Sequence, residues 1–328
     1  MNRSRQWLVA VLDRGVWALL VIVWASFGLL SDKFLTASNL SNILVQSSSV
    51  TILTIGITFV LLTAGVDLSV GSIMLLTAAT AGKMAVAGMS FLTCIGAMAV
   101  VGVVAGAINA VLISRLGLIP FIATLGTLYI GRGVGLWLTE TRGINLPGDF
   151  RELGSATLLG IPLPILLVAA AATVGQLVIS NSVFGRHVFA VGYDRAAAEK
   201  AGIATRRILA SVYVIAGCCA AIAALVSLSQ IGTVDPNLGE GGEFAAIAAA
   251  VIGGTSLFGG RGSVFPGAVL GAVLVQSVRN GLGLLNADPY LYPIIVSGII
   301  FAAVLLDGLR TKLLQRLQRR PIFLDQAK

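Results

Sequence analysis

Two carboxylates stand among long runs of apolar residues. Asp67 lies in Thr63-Ala64-Gly65-Val66-Asp67-Leu68-Ser69-Val70-Gly71-Ser72, and Glu243 opens a later apolar run. An ionisable group at membrane depth is costly and marks a candidate ion relay or solute route. The local alternative for Asp67 is a helix cap after a glycine turn, its carboxylate accepting backbone N–H groups ahead of Ser69 and Gly71. The two roles are compatible. Other chemistries lack their residues. Gly82-Lys83-Met84 has no hydroxyl to hold Mg²⁺, and Gly253-Gly254-Thr255 and Gly259-Gly260-Arg261-Gly262 lack a Walker lysine. No HExxH or GxSxG occurs, and no cofactor or metal site is expected. Cys94, Cys218 and Cys219 lie in apolar runs without CxxC spacing and read as small core residues. The single histidine, His187, sits beside Arg186 in a polar stretch and reads as a solvated loop residue. A chain with this inventory has no catalytic residue. If it moves a solute uphill, the energy comes from an ion gradient or from a partner.

These residues must be placed by membrane helices. The 328 residues are 57% hydrophobic and only 11% charged, against about 25% charged in a soluble domain. That excludes a soluble globule, a disordered tail and a nucleic-acid-binding domain. A span needs about 20 apolar residues. An all-α polytopic fold of about ten spans is expected, near 15–30, 42–62, 68–82, 91–113, 121–138, 162–180, 208–229, 243–258, 264–285 and 291–307. The third and eighth are short and rich in small residues, so they are expected to be partial or broken. The chain reads as one permease domain over 1–328, with a membrane region at 15–307 and a basic tail at 308–328. Arg3 and Arg5 precede the first run as in a signal peptide. Asp13 and Arg14 interrupt it and no cleavage site follows, so a retained span is expected.

Charge tests the count. With the N-terminus inside, 16 of the 22 basic residues fall on the cytoplasmic side and 4 outside, with Arg132 and Arg279 within spans. Such a bias sets orientation, and an even count leaves both termini in the cytoplasm. Arg132 and Arg279 are expected to snorkel from span ends. The net charge of +8 then reflects membrane topology and contact with anionic lipid.

Glycines and hydroxyls carry the route. Gly102 with Gly106, and Gly267 with Gly271, are spaced for close helix packing. The glycine-interrupted segments at 65–71 and 253–262 point to a solute path. Asp67, Ser69, Gly71, Thr124, Glu243, Gly253, Gly254 and Thr255 are its candidate lining. The span polar groups are mostly neutral, including Thr51, Thr54, Thr58, Thr77, Asn109, Thr127 and Gln276. They suit a neutral hydroxylated solute, or hydrogen bonds between helices.

The inner segment Gly192-Tyr193-Asp194-Arg195-Ala196-Ala197-Ala198-Glu199-Lys200-Ala201-Gly202-Ile203 predicts a short helix. Asp194 caps its start, alanines fill it and Gly202 ends it. Two turns are marginal alone, so this helix packs on its own membrane face or on a partner.

The chain resembles the permease subunits of ribose-type ABC sugar importers. The resemblance rests on Thr63 to Ser72, on Pro120-Phe121-Ile122-Ala123-Thr124-Leu125-Gly126-Thr127, on Arg132-Gly133, on Gly192 to Ile203, and on Ile247 through Gly262. It covers residues 30 to 307. One departure is Ala245, where the family often has aspartate. The resemblance implies a bacterial inner-membrane permease carrying a monosaccharide. Its partners would be a second permease copy or paralogue, ATP-binding cassette subunits, and a periplasmic or lipid-anchored sugar-binding protein. Gly192, Asp194, Arg195, Glu199 and Gly202 would form the ATPase-coupling loop. The competing reading is a stand-alone ion-coupled carrier of a small neutral solute.

Overall fold

A computed structural model describes residues 15–288 continuously, and beyond them positions 290–292, 294, 295, 297, 298, 301, 305 and 308. The expected tenth span is thus described only in part. The basic tail, apart from Gly308, lies outside the described residues.

The helices follow from uninterrupted apolar sequence punctuated by caps and glycines. In chain order they are α1 (Gly15–Leu30), α2 (Ala37–Leu62), α3 (Val70–Val86), α4 (Phe91–Ser114), α5 (Pro120–Thr139), α6 (Gly148–Ser155), α7 (Leu163–Asn181), α8 (Val183–Tyr193), α9 (Arg195–Lys200), α10 (Thr205–Ile231), α11 (Gly242–Ile252) and α12 (Val269–Leu284). A π-turn, Val264–Ala268, leads into α12. Six of the described helices are long and apolar enough to cross a bilayer: α2, α4, α5, α7, α10, and the π-turn continued by α12. Three apolar helices are shorter: α1, expected as a full span, and the two expected to be short. The third candidate span is the 17-residue α3, and the eighth holds only the 11-residue α11 before the chain turns at Gly253.

Helix α2 is the centre. Thr36 caps its start by accepting the Asn39 N–H, and its second half is almost entirely buried. Helix α10 packs between α2 and α4 where side chains vanish. A Cβ on Gly102 or Gly106 would run into the backbone of Gly217 and Tyr213, and one on Gly56 would meet Cys219 Cβ at 2.8 Å. Backbones approach this closely only at small residues, so Cys219 serves as the small core residue expected. The outward faces of α4 and α7 are aliphatic, with Val100, Val104, Ile108, Val174 and Leu177 exposed. That is how a lipid-facing surface is built.

Most span hydroxyls are turned inward on their own helices. Thr51, Thr54, Thr58 and Thr77 each donate to the carbonyl four residues earlier, at 2.7–2.9 Å. This differs from the expected route lining or interhelical glue, because the nearest free acceptor in a helix is the i−4 carbonyl. Bonds between helices come from serines, amides and Thr127 instead. Gln276 donates to Gln46 at 2.9 Å, Asn39 and Asn280 exchange bonds, and Ser227 donates to Ser49 at 2.8 Å.

At one end of the bundle, the loop after α5 is tied to the end of α10. Strand β1 (Ile144–Asn145) pairs antiparallel with β4 (Thr233–Val234), and β2 (Thr157–Leu158) pairs with β3 (Ile161–Pro162). Phe150 of α6 is buried and sets its ring edge-on to Phe91, 4.9 Å between centroids. Lys83 and Glu140 pair at 2.9 Å on this end. The segment 181–207 at the other end is mostly helical. His187 therefore lies half-buried on α8 rather than in a solvated loop; Ser182 caps that helix by accepting the Gly185 N–H.

The α4–α10 contact yields a comparison. Gly106→Leu is expected to destabilise the folded protein by about 1–3 kcal/mol through overpacking. Gly96→Leu, on the same helix with open space around it, leaves stability unchanged. Thermal unfolding in mild detergent measures both.

Candidate functional site

The chain breaks at two places inside the bundle, and the breaks adjoin. Helix α2 ends at Leu62 because Thr63 and Gly65 turn back to the Val60 carbonyl and Ala64 takes a left-handed conformation, φ +58°. Residues 63–69 then run to the start of α3. The second break precedes α11: Gly239 and Gly241 are left-handed, φ +75° and +69°, and α11 begins beside the first turn of α3. A Cβ on Gly71 would strike Glu243 Oε2 and the Gly239 carbonyl. Only glycine permits that approach.

Asp67 is fully buried. Its Oδ1 accepts the Ser69 N–H at 2.8 Å and the Ser69 hydroxyl at 2.6 Å. Ser69 Oγ accepts from Asn109 Nδ2 of α4 at 2.7 Å, and Asn109 Oδ1 accepts from Thr127 of α5 at 2.8 Å. The carboxylate thus caps a turn, as expected, and also anchors a polar chain through three elements. Thr124 faces the same loop but donates chiefly to its own Pro120 carbonyl, at 2.8 Å. Tyr213 of α10 fills the room left by Gly65, its hydroxyl 2.6 Å from where a Cβ would stand.

Glu243 is buried, second in α11, where the helix N-terminus favours negative charge. Arg132 does not snorkel. It lies within α5 and donates through Nη1 to the Leu238 carbonyl at 2.9 Å, holding the 235–241 segment against the bundle. Arg279 instead lies 5.2 Å over the Tyr292 ring. Asp67 and Glu243 serve separate partners: the first binds toward α4 and α5, the second faces Gly71 and Gly239.

The third assembly lies at the end of the bundle that carries α9. Gly260 N–H donates to the Leu62 carbonyl at 3.0 Å, satisfying an acceptor that the end of α2 leaves open. Gly192 packs on that same carbonyl, and Gly259 packs on Gly192 and Ala64. Gly192 therefore lies in the last turn of α8 and does not belong to the short helix. That helix, α9, is Arg195–Lys200. Asp194 Oδ1 accepts the Ala197 N–H at 3.0 Å, and Gly202 follows it with φ +82°. Thr205 of α10 donates to Glu199 at 2.6 Å, which holds that carboxyl below the usual glutamate range. Arg195 stands 3.4 Å from Glu199. Both faces that Asp194 and Glu199 offer are solvent-exposed.

The remaining candidates, Gly253, Gly254 and Thr255, end α11. Gly253 is fixed by space, since a Cβ would run into Gly267. Thr255 is buried beneath Gly262. Gly254 is held otherwise: no atom lies within 4 Å of a Cβ there, and what demands glycine is its φ of +94°. Reading the sequence missed Leu62, Tyr213 and Leu238, whose roles come from backbone carbonyls or long-range packing that carry no residue signature.

Several crossing helices with two interior breaks define a multi-pass membrane permease. Its affiliation follows from comparison: residues 39–306 match the family described as "Branched-chain amino acid transport system / permease component", and the chain belongs to it. It is 37% identical over 301 residues to the D-allose transport system permease protein of Escherichia coli K12, covering 91% of this chain and 92% of that protein. It is 36% identical over 297 residues to the ribose import permease protein of Bacillus subtilis 168, covering 89% and 90%. It is 34% identical over 316 residues to the autoinducer 2 import system permease protein of Escherichia coli K12 / DH10B, covering 94% and 91%. No solved structure matches the chain. The expected membership among ribose-type permeases is borne out by these relatives.

The two glycines at the end of α11 should separate by mechanism. Gly254→Asn, a residue that tolerates left-handed backbone, is expected to keep folded protein, while Gly254→Val loses about 1–2 kcal/mol. Gly253→Ala fails whatever its backbone preference, because the space is taken. Recovery of monodisperse protein and its melting temperature distinguish the three.

Proposed function

We propose that this chain is the membrane subunit of an ATP-binding cassette importer that carries a monosaccharide of the ribose or allose kind. The observation that carries the reading is α9: a six-residue capped helix, too short to stand alone, propped on α10 by Glu199 and backed by the Leu62–Gly260–Gly192 junction. Such an element is built to be gripped. The grip is that of a separate ATPase, with Asp194, Arg195 and Glu199 presenting the surface and Gly192 and Gly202 setting its geometry. The relatives named for D-allose and ribose import support the sugar, as do neutral hydrogen-bonding groups within the spans.

Orientation follows from charge. Arg115, Arg186, Arg195, Lys200, Arg206, Arg207 and Arg261 fall in the inner segments of that reading, a bias that supports a cytoplasmic α9 end. Both termini then lie there, ten segments enter the bilayer, and the membrane is the bacterial inner one. A sugar-binding protein, periplasmic or lipid-anchored, delivers solute to the opposite end, and a second permease copy or paralogue completes the path. Asp67, Ser69, Gly71, Thr124, Glu243, Gly253, Gly254 and Thr255 shape the moving interior of that path. Asp67 and Glu243 act there as structural anchors, each committed to its own neighbours, which argues against an ion relay between them.

Reversing both charges, Asp194→Arg with Glu199→Arg, is expected to abolish ATPase co-purification and sugar uptake while membrane insertion stays normal. Glu152→Arg, at the opposite end, leaves association intact. Undiminished uptake in the double variant would refute the docking role.

A further inference from the structure

Helix α5 exposes a stripe unlike the lipid-facing sides of α4 and α7. Ile122, Gly126, Tyr129, Ile130, Gly133 and Trp137 fall on one face and are all solvent-accessible, and no atom lies within 4 Å of a Cβ built on Gly126 or Gly133. Tyr129 is 70% exposed. It is the tenth residue of a twenty-residue helix, so it stands at mid-depth. Tyrosine facing lipid belongs at the interfaces, where its hydroxyl meets water. At mid-membrane that hydroxyl would have no partner in hydrocarbon, and the two bare glycines flanking it leave open space beside the ring. On α4, by contrast, Val100, Val103, Val104, Ile108 and Val111 fill the same depths with aliphatic surface. The opposite edge of α5 already serves the interior through Arg132 and Thr127.

We propose that this face of α5 lines the translocation path and that Tyr129 is a sugar-contacting, specificity-determining residue at its midpoint. The ring face packs on the C–H face of a pyranose or furanose, and the hydroxyl exchanges hydrogen bonds with the sugar hydroxyls. An aromatic body with a polar tip meets both demands of such a solute. The proposal rests on the sugar-importer reading above and adds to it the residue that meets the solute.

The test uses the permease assembled with its ATPase and binding protein in vesicles, with D-ribose and D-allose as probes. Tyr129→Leu is expected to raise the KM for uptake about fivefold, the worth of an aromatic contact of about 1 kcal/mol, with maximal rate and ATPase association preserved. Tyr129→Phe keeps most of the affinity. Independently, Tyr129→Cys is labelled by a membrane-impermeant thiol reagent, and sugar with binding protein slows the labelling. Val104→Cys on α4 is not labelled. Unchanged KM in Tyr129→Leu with normal wild-type uptake overturns the proposal alone. So does an unlabelled Tyr129→Cys that forms a disulfide between two permease copies, which would make the stripe a packing surface. If the wild-type complex takes up neither sugar, the sugar reading falls and the proposal with it.

Discussion

The carbonyl of Leu62 is the atom on which the arrangement turns. It ends the most buried helix, and an unsatisfied carbonyl at such a place costs several kcal/mol. The donor comes from Gly260, some two hundred residues away in sequence, and the packing surface from Gly192. Those three positions belong to the first break, the segment before α9, and the glycine-rich loop after α11. One hydrogen bond thus brings three distant stretches together, two of them through glycines, Gly192 and Gly259-Gly260. It also fixes α9 against the bundle. Any motion imposed on α9 acts on the end of α2 and on the loop leaving α11 together.

The second constraint is the approach of α3 to α11. Gly71 and Gly239 remove their side chains so that two helix starts can lie side by side, and Glu243 supplies negative charge where both N-termini point. Arg132 secures the segment between. Asp67 orders the loop one turn earlier through Ser69, Asn109 and Thr127. Polar groups in this interior are therefore spent on holding broken backbone.

Much of this was legible in sequence because it is local. Apolar length predicted the helices, and small-residue content predicted that α3 and α11 would be short. Asp194 and Gly202 announced the caps of α9, and the Gly102–Gly106 pair announced close packing. What stayed hidden depends on distance or on direction. Thr51, Thr54, Thr58 and Thr77 looked like path lining, yet each hydroxyl donates to a carbonyl of its own helix. Arg132 looked like a snorkelling charge because its acceptor is a backbone carbonyl in a segment that follows another helix by several residues. Gly254 read as route lining, and its place in the sequence carries no trace of the left-handed φ that requires it.

Helix α10 has 27 residues, about 40 Å at 1.5 Å per residue, which exceeds the roughly 30 Å of a hydrocarbon core. It has no interior break. Its first residue receives Glu199, and its last leads through Gly232 into strand β4 and the segment that Arg132 holds. A single uninterrupted rod therefore joins the two faces of the membrane. The contact with Glu199 at one end and the lead into the segment 235–241 at the other are thus joined by one continuous helix.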